Sequence, residues 1–158
     1  MDMKIQKSSR HSKITGDFGE GLVLYLLSKY GFECANVDHT GIDIIAKNSV
    51  TNEVMGISVK SRSKNEGREG DYINIPNDQF VKIQTACDAF NCVPYFAIVS
   101  DEKNVVHIFI ISMKHLLELF PKGNRVRAWT MSEKSLEKYA ADKEIMSFAF
   151  EYKSVNWW

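Results

Sequence analysis

A chain of 158 residues, 44% hydrophobic and 25% charged, has the make-up of one ordinary globular domain, which excludes a disordered or low-complexity protein. Lys plus Arg and Asp plus Glu both number 20, so the formal net charge is zero. That excludes a surface coated in positive charge but leaves room for a local basic patch.

The longest apolar runs, Leu22–Leu27 and Val105–Ile111, are too short to span a bilayer. The polar start, with Lys4, Lys7, Arg10 and Lys13, lacks the apolar core of a signal peptide, so a cytoplasmic location and no membrane partner are expected. Cys34, Cys87 and Cys92 have no framework spacing, and free thiols are expected rather than disulfides or zinc.

In chain order, residues 1–14 read as a basic N-terminal arm and 15–158 as a single domain. The first predicted helix covers 17–30, with Asp17 as N-cap and Gly31 as its stop. Three short strand-like runs follow: Phe32–Val37, Ile42–Ala46 and Glu53–Ser61, the last two joined by a turn at 48–52. Residues 62–72 read as an exposed loop, and Pro76-Asn77-Asp78 opens a helix to about Phe90. Tyr95–Ser100 and Val105–Ile111 are predicted as an antiparallel hairpin. Short helices over Met113–Phe120 and Ser132–Ala141, the latter capped by Ser132, precede a final edge strand in Glu144–Lys153. This order implies a mixed sheet with helices packed on it.

Asp43 sits inside the β-branched run Ile42-Asp43-Ile44-Ile45, where a carboxylate is costly unless paired or bound to a cation. Alternation puts Ser58 and Lys60 on one face of the next run and Ile57 and Val59 on the other. If the two runs form a hairpin, Asp43, Ser58 and Lys60 converge. Glu20 lies at the edge of the stripe made by Val23, Leu24 and Leu27, where the plain alternative is a first-turn acid favoured by the helix dipole.

Gly16-Asp17-Phe18-Gly19-Glu20, then Gly41-Ile42-Asp43-Ile44-Ile45-Ala46, then Ser58-Val59-Lys60 resembles the PD-(D/E)XK nuclease superfamily. The likeness is to its restriction-endonuclease-like and Holliday-junction-resolvase-like members. It spans residues 14–62, with 17 residues from Asp43 to Lys60. It implies a three-layer α-β-α restriction-endonuclease-like fold around a central mixed sheet, and hydrolysis of nucleic-acid phosphodiester bonds, with DNA the expected substrate. It implies Mg2+ or Mn2+ as cofactor, held by Asp43, Glu20, Ser58 and the Val59 carbonyl, with Lys60 acting on the attacking water or the phosphate charge. Family members often carry a polar residue on the next helix, which points to Gln84 beside Phe80, Ile83 and Cys87. A homodimer is common among similar nucleases.

Ser58 departs from the pattern, because the family usually has Glu, Asp or Gln there and a hydroxyl is a poorer ligand. Two functions therefore stand: a metal-dependent nuclease, or a non-catalytic nucleic-acid-binding or assembly module on the same fold. Lys13, Arg62, Lys64 and Arg68 are expected to contact phosphates, against the alternative of a solvated loop and terminus. Other templates fail: there is no dinucleotide glycine pattern, no Walker lysine and no Gly-x-Ser-x-Gly, and the four histidines lack metal-ligand spacing. Trp129, Trp157 and Trp158 are expected in the core or at an interface.

Overall fold

The computed structural model describes residues 6–64, 72–121, 123 and 125–155. Its elements run α1 (His11–Lys29), β1 (Glu33–His39), β2 (Ile42–Lys47), β3 (Val54–Ser63), β4 (Tyr72–Pro76), α2 (Asn77–Phe90), β5 (Val93–Glu102), β6 (Val105–Ser112), α3 (Met113–Leu119), β7 (Val126–Thr130), α4 (Glu133–Ala141) and β8 (Met146–Glu151).

Among the described residues, six strands form one sheet in the order β1-β2-β3-β5-β6-β8, and β4 and β7 form a separate antiparallel pair. Only β3 and β5 run parallel; the other neighbours in the large sheet are antiparallel. That pairing needs a crossover, which β4 and α2 supply. The sheet is mixed, as the sequence implies, and β8 closes it as an edge strand.

The sheet is covered on both faces. On one, α1 places Val23 and Leu27 against Ile44, Ala46, Ile57, Ala97 and Ile108. On the other, α2, α3, α4 and the β4–β7 pair bury Ile73, Ile75, Ile83, Leu116, Trp129 and Tyr139 against Phe96, Ile98 and Phe109. The layers are α-β-α, the restriction-endonuclease-like arrangement expected. Trp129 is a core residue, stacked on Tyr139 with ring centroids 4.2 Å apart.

Several boundaries differ from the local reading. The first helix starts at His11, not 17, so residues 11–14 of the expected arm are helical and Asp17 lies inside the helix. Arg10 is the N-cap and makes no side-chain cap bond. Docking of the stripe carrying Gly19 extends the helix beyond its best local start. The expected loop ends in β4, whose Ile73 and Ile75 alternate inward between exposed Tyr72, Asn74 and Pro76. Ser132 does cap α4, accepting from the Ser135 N–H. Trp157 and Trp158 lie outside the described residues.

Gly41 shows why the chain can turn into β2. Its φ is +98°, and a Cβ there would overlap the Lys82 carbonyl on α2. Only glycine combines that backbone angle with that approach.

Candidate active site

The site lies where β2 and β3 part. Their ladder runs from Lys47↔Val54 to Ile44↔Ile57 and stops. One residue on, Asp43 turns its carboxylate onto β3, and its Oδ2 accepts the Val59 N–H at 2.7 Å. A side chain thus replaces the next ladder bond. A strand residue sends its N–H and C=O to the same edge, so the Val59 carbonyl faces the β2 side, past the last backbone pair. Ser58, opposite Asp43 at this fork, is 4% exposed.

Lys60 is half-buried, and its Nζ donates to Gln79 Oε1 at 2.8 Å. Gln79 sits in the first turn of α2, so Lys60 is held on that face of the sheet. Glu20 arrives from the other face on α1. The helix can come close because residue 19 is glycine: a Cβ there would overlap Ser61 Oγ and lie 3.0 Å from Ser61 Cβ. Glu20, Val59 and Lys60 line one cavity of about 480 Å3 between the start of α1 and the end of β3.

That close approach carries a test. An interior Gly→Ala change favours a helix by about 1 kcal/mol, but overpacking against β3 opposes it by about 1–3 kcal/mol. Gly19→Ala is expected to lower stability to urea and displace Glu20, and Gly19→Ala with Ser61→Gly is expected to recover both stability and function. No recovery in the double variant would show that the α1–β3 contact is not what Gly19 serves.

The charges are poorly compensated. Burial raises the Asp43 carboxyl above its usual range; the Val59 N–H and Lys60 pull it back in part, and Asp38 pushes it up. Glu20 is raised by burial first, then by Asp43, Asp17 and Asp38, with Lys13 opposing. Burial lowers Lys60 despite the pull of Asp43. This half-dry site favours loss of charge unless a cation joins it. Asp43, Glu20 and the Val59 carbonyl are hard oxygen donors, the set that suits Mg2+ or Mn2+.

The other expected residues divide. Gln84 is exposed and donates to Asp88 Oδ1 at 2.8 Å, on the outward side of α2; the α2 side chain that reaches Lys60 is Gln79, five positions earlier. Lys13 pairs with Asp17 in the open, Nζ to Oδ2 3.4 Å. Arg62 is exposed beside the cavity, with its guanidinium on the Ser61 carbonyl at 3.0 Å. The Lys64 side chain is only 5% exposed and stands 4.0 Å from Glu102. Arg68 lies outside the described residues. Local reading also passes over Asp38, which has φ +43° at a register shift in β1 and acts on both Glu20 and Asp43. The signal for it is an acid just before a His-Thr-Gly turn; bulges of this kind re-aim side chains beside sites.

A separate cluster joins α3 to the end of α4. His115 Nε2 is 2.7 Å from Asp142 Oδ2, and Nδ1 is 3.2 Å from Glu118 and 3.5 Å from Glu144. Among the described residues, His115, Asp142 and Glu144 are a trio whose possible ligand atoms lie within 4.8 Å of one another. With a carboxylate at each ring nitrogen, the arrangement suits an imidazolium donating twice more than a metal ligand, which needs a free lone pair. Burial depresses the ring's pKa, but Asp142, Glu118 and Glu144 outweigh it and leave the group above 6.5. A raised histidine stabilises the fold fully below its unfolded pKa and loses that contribution as pH rises through the folded value. Asp142, held below 3.8 by the same bond against the opposing effect of burial, gives its share above that value and loses it as pH falls further. His115→Ala is therefore expected to cost about 1–2 kcal/mol at pH 6, allowing for partial solvent screening. The difference from wild type should shrink toward pH 9 in urea denaturation; a pH-independent difference would mean that packing alone is lost.

The class follows from this architecture: an α/β restriction-endonuclease-like fold with its polar site at the fork of the central hairpin. No family model matches the chain, and no curated protein matches it significantly. Among solved structures, it is similar to Hjc of Archaeoglobus fulgidus, a Holliday junction resolvase from an archaeal hyperthermophile. The TM-score is 0.56 at 18% identity, covering 78% of this chain and 88% of that one. The two chains share a fold. No helix among the described residues is long and apolar enough to cross a membrane.

Proposed function

We propose that this protein is a metal-dependent nuclease that hydrolyses phosphodiester bonds in DNA. The observation that carries the reading is the fork itself: Asp43 takes the Val59 N–H at 2.7 Å, which leaves a carboxylate and a backbone carbonyl side by side, with Lys60 next in the chain. Asp43, Glu20 and the Val59 carbonyl would hold the ion. When bound, Mg2+ or Mn2+ supplies positive charge to the scissile phosphate and acidifies water.

The chain's own groups do the rest. Gln79 fixes the Lys60 ammonium, which faces charge building on the phosphate and orients the attacking water. Asp38 adds negative charge near Glu20 and Asp43, where Ser58 offers only a hydroxyl. One neighbour of known structure is a Holliday junction resolvase, so branched DNA is the first substrate to try.

The burial of Ser58 favours one alternative, a non-catalytic nucleic-acid-binding module on the same fold. Cleavage of single-stranded, duplex and four-way-junction DNA with Mg2+, Mn2+ or EDTA separates the two. Cleavage that requires metal and both Asp43 and Lys60 supports the nuclease; DNA binding with no cleavage of any substrate supports the module.

A further inference from the structure

The 480 Å3 cavity continues into a second, smaller one. The first is polar: Lys7 and Arg62 bring positive charge, Ser12 brings a hydroxyl, and Lys60 and Glu20 line its end near Asp43. Lys7 Nζ donates to the Ser63 carbonyl, and His11 Nε2 lies 3.0 Å from Ser63 Oγ, so the start of α1 is tied to the end of β3 as a wall.

The second cavity, about 190 Å3, shares His11, Thr15, Arg62 and Ser63 with the first, but its floor is Ile14, Phe18 and Val99. On α1, residues 11, 14, 15 and 18 fall at i, i+3, i+4 and i+7, one stripe of the helix. Ile14 is 54% and Phe18 45% exposed. This is apolar surface left uncovered beside a cationic channel. Its volume is below the roughly 300–1,000 Å3 of a whole small-molecule site and suits one planar ring.

We infer that the two cavities together take one nucleotide of the substrate strand, its phosphate in the channel with Lys7 and Arg62 and its unstacked base against Phe18 and Ile14. The inference rests on the nuclease reading for its ligand class and adds the kind of DNA recognised. A base inside a duplex cannot offer its face to a side chain. The preferred substrate therefore carries an unpaired nucleotide: a single strand, a flap or an opened junction.

Charge sets the polarity. Asp101 stands at the apolar end, its Oδ1 accepting from Tyr152 at 2.8 Å, and a carboxylate there repels a second phosphate while leaving a neutral base unopposed. Arg62 lies between the two ends and can serve the phosphate, the base face, or both.

The test reads binding apart from cleavage. Single-stranded oligonucleotides carrying 2-aminopurine, and the same sequence fully paired, are titrated in EDTA with wild type, Phe18→Ala and Phe18→Trp. Phe18→Ala is expected to weaken single-strand binding roughly five- to hundredfold and duplex binding little, with loss of the 2-aminopurine quenching that wild type produces. Phe18→Trp is expected to retain both. Equal weakening on both DNAs, no weakening at all, or failure of wild type to bind single strands would overturn the inference. So would a change of oligomeric state in Phe18→Ala, which would assign the groove to a second copy of the chain. Because no metal is present, a folded protein that binds as expected but never cleaves sinks the nuclease reading and leaves the nucleotide site standing.

Discussion

Asp43→Asn is expected to reduce metal-dependent cleavage at least a hundred- to a thousandfold, in a protein as stable as wild type, or more so, in EDTA. Asparagine keeps an oxygen for the Val59 N–H, so the 2.7 Å bond at the fork can persist. It removes a carboxylate that burial has made hard to ionise. A carboxyl raised above its unfolded pKa opposes folding at higher pH, and the penalty fades as pH falls through the folded value. At neutral pH, deleting the charge therefore helps the fold.

Asp43→Ala should behave differently. It deletes the acceptor as well and leaves a half-buried N–H unpaired, at about 1–3 kcal/mol. Thermal denaturation with and without Mg2+ separates the roles. A ligand at a hundred times its Kd adds about 2.7 kcal/mol, and Asp43→Asn should forfeit that gain. An undiminished Mg2+ shift in Asp43→Asn would place the ion elsewhere, with the His115, Asp142 and Glu144 trio the first site to examine.

Lys60→Ala is expected to reduce cleavage by a similar factor, and the pH profile should show how Lys60 acts. On the proposed mechanism, activity needs Asp43 and Glu20 ionised and Lys60 charged. Burial pushes both carboxyls up and the ammonium down. The active window should therefore be narrower at both ends than the roughly 4 to 10.5 span of unperturbed groups. Lys60→Arg keeps a positive charge that does not titrate in this range. Its profile should retain the acid limb and lose the alkaline one, at reduced rate because a guanidinium cannot copy the ammonium's position on Gln79. An alkaline limb unchanged in Lys60→Arg would mean that another group titrates there.

Much of this site is legible locally. A short turn at residues 48–52 forces β2 and β3 into a hairpin, and alternation then brings Asp43, Ser58 and Lys60 together. Glu20 is legible because its helix stripe is apolar on one side. Gln79 and Gln84 are a harder choice. Both lie on α2, and which one faces Lys60 depends on how that helix is rotated over β3, set by the burial of Ile83, Ala86 and Cys87. Asp38 is harder still, since its direction comes from a register shift that no composition rule announces.

By itself, the sequence determined the periodic elements, the mixed α/β class, the Ser132 cap and the order of the motif residues. These depend on side-chain period and on chemistry within a few residues. The tertiary structure alone decided that β4 pairs with β7, joining Tyr72 to Thr130 across 58 positions, and that β3 lies parallel to β5. It also decided that α1 begins at His11 and forms a trough with the end of β3. The physical reason is common to all three. Such pairings are fixed by the surfaces that Ile73, Ile75 and Trp129 on one side, and Gly19 and Val23 on the other, bury against strands far away in the chain. That burial is a property of the assembled layers, and no local stretch of the chain contains it.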